Sequence, residues 1–384
     1  QQVEFNNLKL HNSLVELKTG KPQENVDNET VAESTFWPEW DVNINAVDIK
    51  DNTIAFRQAE EKVTSGQFNP LAFELRNFTL LANKLALSKE ETAVVNLDQL
   101  TFKESGGFEL KEFSTQISLS PQALQVNNLN AVTQKSNLNG SLTTSFASLE
   151  SFIENPDKGS FQVSVPNFNV NAQEAYYFVP ELRQKTEFKK VASKKIYGKI
   201  NANGTLANLQ LKNTHVNWGG KTSVVANGDL KNVLDTDNLT FDIQQFEINS
   251  VKEDILVFTS EKELGISLPK TLNINGNLKG RLDRLSGKAQ MTIPEGKIKV
   301  NGSFRNDNQI AFDTQVETID LDLGKILQMP ELGEVSLVLE TSGSGKDINS
   351  LDATLDSRFT QLTYNEYDLS AVKLSGEIVN GTGN

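Results

Sequence analysis

The chain contains no cysteine, two histidines and two methionines in 384 residues. The missing cysteines exclude disulfides, thiolate metal sites and cysteine nucleophiles together. Such usage fits the cytosol or a bacterial periplasm. Positive charge is also in deficit: 37 Lys+Arg against 50 Asp+Glu give a formal net charge of −13. A nucleic-acid binder needs a basic stripe to release counterions from phosphate, so no nucleic-acid partner is expected. No apolar run approaches the roughly 18 residues of a membrane span. Hydrophobic residues make up 37%, on the low side for a globular chain, so several compact cores would be hard to fill. The opening Gln1-Gln2-Val3-Glu4-Phe5 has neither an initiator Met nor a signal-peptide pattern and already reads as strand. A piece or processed form of something longer is expected.

What is present is a recurrent eight-residue pattern: apolar, x, apolar, x, x, apolar, x, apolar. It occurs as Val3/Phe5/Leu8/Leu10, Val42/Ile44/Val47/Ile49, Phe73/Leu75/Phe78/Leu80 and Val95/Leu97/Leu100/Phe102. It returns as Leu124/Val126/Leu129/Ala131, Val163/Val165/Phe168/Val170, Phe241/Ile243/Phe246/Ile248 and Tyr367/Leu369/Val372/Leu374. Phe108/Leu110/Phe113 repeats it with Thr115 in fourth place. Period two within each half is the strand signal. On a straight strand the central double step would throw the second half onto the opposite face. A β-bulge or a two-residue hairpin would keep all four on one side. The central pairs, such as Asn6-Asn7, Arg76-Asn77 and Gln244-Gln245, lack the glycine that tight hairpins favour. Bulged, curved strands are therefore expected.

A second signature, apolar-Asn-Gly-x-apolar, recurs at 138–142, 202–206, 226–230, 274–278 and 300–304. Asn-Gly ordinarily announces a hairpin. That reading would pair Leu138 with Ser141, whereas reading straight through puts Leu138, Gly140 and Leu142 on one face. The glycines are taken as in-strand positions that permit curvature or close approach. Helix is scarce. Residues 173–192 read as a helical insertion, with Pro180 at the first position of a helix, and 149–155 and 323–328 read as single turns. Residues 18–39, acidic and proline-punctuated, read as a loop insertion. Sheet-like sequence lies on both sides of these insertions, so 1–384 is read as one repetitive segment.

No constellation for catalysis assembles. His11 and His215 lack carboxylate or cysteine neighbours at ligand spacing. Asp320 and Asp322 at i, i+2 would share a solvated strand face. Gly343-Ser344-Gly345-Lys346-Asp347 only superficially suggests a phosphate loop, since Glu340 stands where the first glycine is needed and Asp347 where Ser or Thr would hold magnesium. Lys185, Lys189, Lys190, Lys194 and Lys195 form the one basic cluster, read first as a solvated helix end and second as a docking patch for anionic lipid or a partner. No catalytic residue, metal site or cofactor is expected.

A long sheet with one uncovered apolar face is unstable in water unless it curls on itself or is filled by something apolar. The runs 40–54, 124–142, 203–211 and 319–327 resemble repeats of the AsmA-like superfamily, TamB type (translocation and assembly module). The likeness, in an Asn/Lys-rich style, is one of texture over nearly the whole chain. The resemblance implies an elongated, curled antiparallel sheet with a taco-like hydrophobic groove in the periplasm, carrying phospholipid between inner and outer membranes. It also implies an outer-membrane BamA-family barrel (TamA-like) as partner and an inner-membrane tether outside this segment. The groove would be lined by Val42, Ile44, Val47, Ile49, Phe73, Leu75, Phe78, Leu80, Val95, Leu97, Leu100, Phe102, Leu124, Val126, Leu129, Val163, Val165, Phe168, Phe241, Ile243, Phe246 and Ile248. The alternative is a secreted or surface β-rich structural or adhesive protein whose apolar faces bury each other.

Overall fold

The computed structural model describes residues 2–20, 37–235 and 237–383. It is all-β, 63% strand and 12% helix, in open, curled sheet that does not close into a barrel. The chain divides into two compact units, Gln1–Thr205 and Leu206–Asn384.

The first unit runs β1 (Gln2–Phe5), β2 (Leu8–His11), β3 (Leu14–Thr19), β4 (Asp41–Ile44), β5 (Val47–Gln58), β6 (Ala72–Ser88), β7 (Thr92–Glu104), β8 (Glu109–Ser120), β9 (Ala123–Thr133), β10 (Asn137–Ser145), β11 (Ser160–Val170) and β12 (Ile196–Thr205). From β5 to β12 it is an antiparallel meander. The expectation of a wholly antiparallel sheet is corrected at the N-terminal edge. There β1–β3 lie parallel to β4–β5 with a constant shift of 39 residues, from Gln2 opposite Asp41 to Thr19 opposite Gln58. The shift sets Val3, Phe5, Leu8 and Leu10 beside Val42, Ile44, Val47 and Ile49, so two copies of one pattern meet member for member. A parallel pair needs a crossover where an antiparallel pair needs only a turn. The connecting loop expected at 18–39 lies mostly outside the described residues, and Lys18 and Thr19 end β3.

The kink between β2 and β3 is pinned by Asn52, whose side chain is fully buried. Its Oδ1 accepts from Ser13 N at 2.8 Å and its Nδ2 donates to the Leu10 carbonyl at 2.8 Å. Both backbone groups that the break would orphan are thereby satisfied.

The second unit comprises β13 (Asn208–Trp218), β14 (Thr222–Lys231), β15 (Thr240–Val251), β16 (Thr271–Arg281), β17 (Arg284–Ile293), β18 (Gly296–Asn306), β19 (Ile310–Asp322), β20 (Leu332–Gly345), β21 (Asp352–Tyr364), β22 (Tyr367–Leu369), β23 (Val372–Val379) and β24 (Thr382–Gly383). It is antiparallel throughout its described pairings. Asn365-Glu366 and Asn380-Gly381 both carry positive φ at their two positions, the geometry of two-residue hairpin turns whose twist matches the flanking strands. All five apolar-Asn-Gly segments, by contrast, begin inside strands and pass straight through Asn-Gly, although the one at 202–206 leaves its strand after Thr205. The reason is visible at Gly228, where an added Cβ would stand 2.6 Å from the Ile243 Cα of the neighbouring strand.

The helical pieces are short. Leu149–Glu154 and Leu323–Leu327 are the single turns expected at those places. Between β11 and β12 a strap is built from Ala172–Glu174, α1 (Ala175–Phe178), Pro180–Gln184 and α2 (Thr186–Val191), with Pro180 at a helix start. No described helix is long and apolar enough to cross a membrane.

Candidate functional site

Residues directly opposite each other on neighbouring strands share a face, so register alone traces which side chains line up. In the first unit one row runs Phe5, Ile44, Leu85, Val95, Ile117, Val126, Leu142, Val163, Ala202, unbroken across nine strands and apolar at every position. A parallel row holds Val3, Val42, Leu87, Ala93, Leu119, Leu124, Thr144, Phe161 and Gly204. One residue over, on the other face, the row reads Glu4, Asn43, Ala86, Val94, Ser118, Gln125, Thr143, Gln162, Asn203. The sheet is two-faced by construction.

The remaining expected residues of this unit fall beside those rows. Val47 meets Leu8 and Ala82, which meets Leu97; Ile49 meets Leu10 and Leu80, which meets Leu100. Phe73 lies opposite Phe56 and Leu75 opposite Ile54, while Phe78 faces the buried Asn52. Phe102 pairs with Leu110, Leu129 with Gly140, Val165 with Ile200, and Phe168 with Leu138 and Gly198. The central double step is absorbed as a register irregularity and not as a hairpin. In β6 the extra residue is Asn77, held left-handed at φ 51°, so Phe73, Leu75, Phe78 and Leu80 stay on one face. Asn128 at φ 52° does the same between Val126 and Leu129. Asparagine tolerates this conformation because its short side chain can hydrogen-bond locally. Thr115, the odd fourth member of its quartet, is buried and donates its hydroxyl to the Asn127 carbonyl at 3.1 Å.

The second unit repeats the arrangement on its own strands. Its row through Phe241 reads Leu209, Leu230, Phe241, Gly280, Leu285, Phe304, Phe312, Gly343, Ala353, Ile378 over ten strands. Ile248 belongs to Val216, Val224, Ile248, Ile274, Met291, Ile298, Thr318, Leu337, Phe359, Val372. Ile243 stands between Gly228 and Leu278, and Phe246 between Ala226 and Gly276. The opposite face carries Gln210, Asp229, Asp242, Lys279, Ser286, Ser303, Asp313, Ser342, Thr354 and Glu377 in one row. On the apolar side a depression of about 180 Å³ opens among Phe246, Leu278, Leu285, Ala289, Val300 and Phe304.

Most row members are half-buried. Val47 and Phe168 are buried, but Phe304, in mid-row, keeps 42% of its surface exposed, and Phe5 at the edge 50%. Apolar contact therefore remains available to a third party along both rows. Sequence reading missed Leu85, Leu87, Ile117 and Leu119, and in the second unit Leu285, Phe312, Leu337 and Phe359. Their signal was plain period-two alternation without the double step.

The strap borders this face in the first unit. Glu174 accepts hydrogen bonds from Thr133 Oγ1 at 2.8 Å, Lys135 N at 3.1 Å and Ser136 Oγ, anchoring it to the β9–β10 turn. Tyr177 donates its hydroxyl to Glu104 Oε2, which also accepts from Gly106 N at 2.5 Å. Burial, with the Glu104 carboxylate against it, pushes the Tyr177 phenol upward. Phe68 N donates to the Tyr177 carbonyl at 2.8 Å and Arg183 Nη2 to Gly66 O at 2.9 Å, reaching the β5–β6 connection. Phe178 touches Phe108 edge-on at 5.0 Å and Phe68 at 6.2 Å; Phe68 lies 5.7 Å from Phe73. The aromatic cluster thus continues the apolar face onto the strap.

The polar candidates have structural partners. Asp320 is exposed and Asp322 half-buried, on either side of the buried Leu321, and each has a structural partner. Asp320 is left-handed at φ 48° and donates its backbone N–H nowhere but to Ser336 Oγ among its described side-chain bonds, at 2.9 Å. Asp322 caps the helix at Leu323 by accepting from Lys325 N at 3.0 Å, with Lys325 Nζ at 2.7 Å. His11 Nε2 lies 3.2 Å from Asp48 Oδ1. Among the described residues no group of His, Cys, Asp and Glu could hold a metal ion. What fold and face define is a class: an open β-sheet protein with an amphipathic, partly uncovered apolar surface. Comparisons with protein-family models, curated proteins and solved structures find no match.

Proposed function

We propose that the chain is a lipid-conduit segment of a cell-envelope protein, of the AsmA-like, TamB type. Acyl chains lie along the apolar rows while headgroups stay wet at the margin. Phospholipid passes between inner and outer membranes through the periplasm, in support of outer-membrane assembly beside a BamA-family barrel partner. The mechanism is passive and needs no catalytic residue or cofactor, so any energy input comes from elsewhere. The observation that carries this reading is the apolar rows of the two units, unbroken over nine strands in the first and thinned by glycine over ten in the second, with members such as Phe304 still open to contact. At about 25 cal/mol per Å² of apolar surface withdrawn from water, filling such a face with hydrocarbon is favourable. Native mass spectrometry with lipid extraction of the purified chain tests it: phospholipid bound to the folded protein is expected. A chain that stays lipid-free after incubation with phospholipid vesicles overturns the conduit and favours the structural or adhesive alternative.

A further inference from the structure

The strands β1 and β2 are paired along one edge. Their ladders run to β4 and β5, and no described strand pairs with their outer side. That outer edge is unprotected. Residues 2–19 contain no proline, every residue of β2 and β3 is exposed, and Phe5 and Leu8 keep 50% and 48% of their surfaces in water. A long exposed edge that carries apolar side chains is a template for another strand.

The segment from Val3 to Leu10 is self-complementary. Read backwards about the Asn6-Asn7 centre it repeats its forward pattern: Val3 exchanges with Leu10, Phe5 with Leu8, and Glu4 with Lys9. Two copies related by a two-fold axis through that centre, perpendicular to the sheet, therefore meet apolar to apolar on one face. On the other face they meet carboxylate to ammonium, twice over. Hydrogen bonding agrees with this register. The Phe5 carbonyl accepts from Asn45 N, Leu8 N donates to the Ala46 carbonyl, and the Leu10 carbonyl accepts from Asn52 Nδ2, so these residues turn their backbone groups inward. Glu4 and Lys9, one residue along, turn theirs outward. Opposite each other in an antiparallel pair, Glu4 and Lys9 exchange both N–H···O bonds. Phe5 and Leu8 then form the closer, non-hydrogen-bonded pair. Glu4 and Lys9 are both exposed, and neither is in an ion pair among the described residues.

We infer that the outer edge of β1 and β2 is a self-association surface, on which two copies of the chain pair antiparallel about Asn6-Asn7 as an isologous dimer. The apolar row that ends at Phe5 continues through Leu8 of the second copy into its Val47, Ala82 and Leu97. One apolar face then spans both copies whatever fills it, so the inference goes beyond the lipid reading and does not depend on it.

Sedimentation velocity of the full chain, up to submillimolar concentration, tests the dimer. Against a monomer of 42.5 kDa, a concentration-dependent species of twice that mass is expected. Glu4→Lys and Lys9→Glu each set like charges opposite each other at both places and are expected to weaken the dimer about tenfold. Circular dichroism checks that both variants keep their fold. Mixed in equal amounts, the two variants place every lysine opposite a glutamate, and dimers of wild-type strength are expected again. A wild type that stays monomeric throughout, or a dimer untouched by either reversal, overturns the inference. So does a mixture no stronger than its components, or growth into larger assemblies, which an isologous edge does not form.

Discussion

In the first unit the ladder changes register again and again, between Ile49 and Asn52, Arg76 and Thr79, Gly140 and Leu142, and Val165 and Phe168. In the second, β16 to β19 pair through three successive ladders without a shift. Elsewhere in the second unit the ladder also shifts, between Leu211 and Thr214, Ile243 and Phe246, and Thr318 and Leu321, and the apolar rows survive in both units. The first unit absorbs extra residues at left-handed Asn77 and Asn128. The second thins its rows with Gly228, Gly276, Gly280, Gly287, Gly302 and Gly343, where the neighbouring strand closes in. Bulges bend a strand and raise its local twist; glycine removes the side chain that would resist approach. One amphipathic face is thus compatible with two routes to curvature.

The largest expected effect tests whether the two faces do the same work. Val126→Asp in the first unit and Ile243→Asp in the second each set a carboxylate in an apolar row, at a cost of several kcal/mol to bound hydrocarbon unless it protonates. Retained phospholipid, measured by native mass spectrometry, should fall at least about tenfold for each, with circular dichroism unchanged. Asp242→Lys, on the polar face next to Ile243, should retain wild-type lipid. Loss from one unit only would confine the lipid-bearing face to that unit, and equal loss from Asp242→Lys would remove the groove mechanism.

Next comes the glycine route. Gly228→Val would drive a side chain into Ile243 and is expected to destabilise by about 1–3 kcal/mol, read from urea unfolding. A neutral result would mean that glycine is not what allows close approach in the second unit. Asn52→Ala leaves Ser13 N–H and the Leu10 carbonyl unpaired, for a cost of about 1–3 kcal/mol. Faster amide exchange in β2 and β3, with β7 to β12 unaffected, is the signature to look for. Smaller still, Asn128→Ala forces a Cβ-bearing residue without a polar side chain into the left-handed region, for about 1 kcal/mol. Asn128→Gly should be nearly silent, and equal effects from both would argue that backbone conformation is not what the bulge demands.

The smallest effect is on acid stability and should touch both units. Arg76 Nε, 2.6 Å from Glu74 Oε1, holds that carboxyl below its ordinary range, and Lys325 does the same to Asp322. A carboxylate depressed in the folded state contributes stability that is present above its unfolded value and lost as pH falls through its folded one. Thermal midpoints should therefore hold between neutrality and about pH 5 and decline below about pH 4. The double variant Glu74→Gln, Asp322→Asn should flatten that decline. An unchanged profile would assign acid sensitivity to other groups.

Much of the face was legible in the residues because it depends on local geometry. Side chains alternate along any strand, so Val95 and Leu97, or Phe241 and Ile243, must share a side whatever their partners are. Pro180 at a helix start and the straight passage through Asn139-Gly140 followed from equally local constraints. Asn380-Gly381, with the same dipeptide, turns a hairpin instead; Thr382 and Gly383 follow it and offer no apolar residue to continue a row. Other features were beyond any local rule. The parallel pairing of β1–β3 joins residues 39 positions apart, and Asp320 is held left-handed beside Ser336 of the next strand. The strap found its place through Tyr177 and Glu104, separated by 73 residues. Composition and period decide which residues leave water; which strand lies beside which is decided by hydrogen bonds and burial between distant segments, whose closure entropy only the assembled sheet repays.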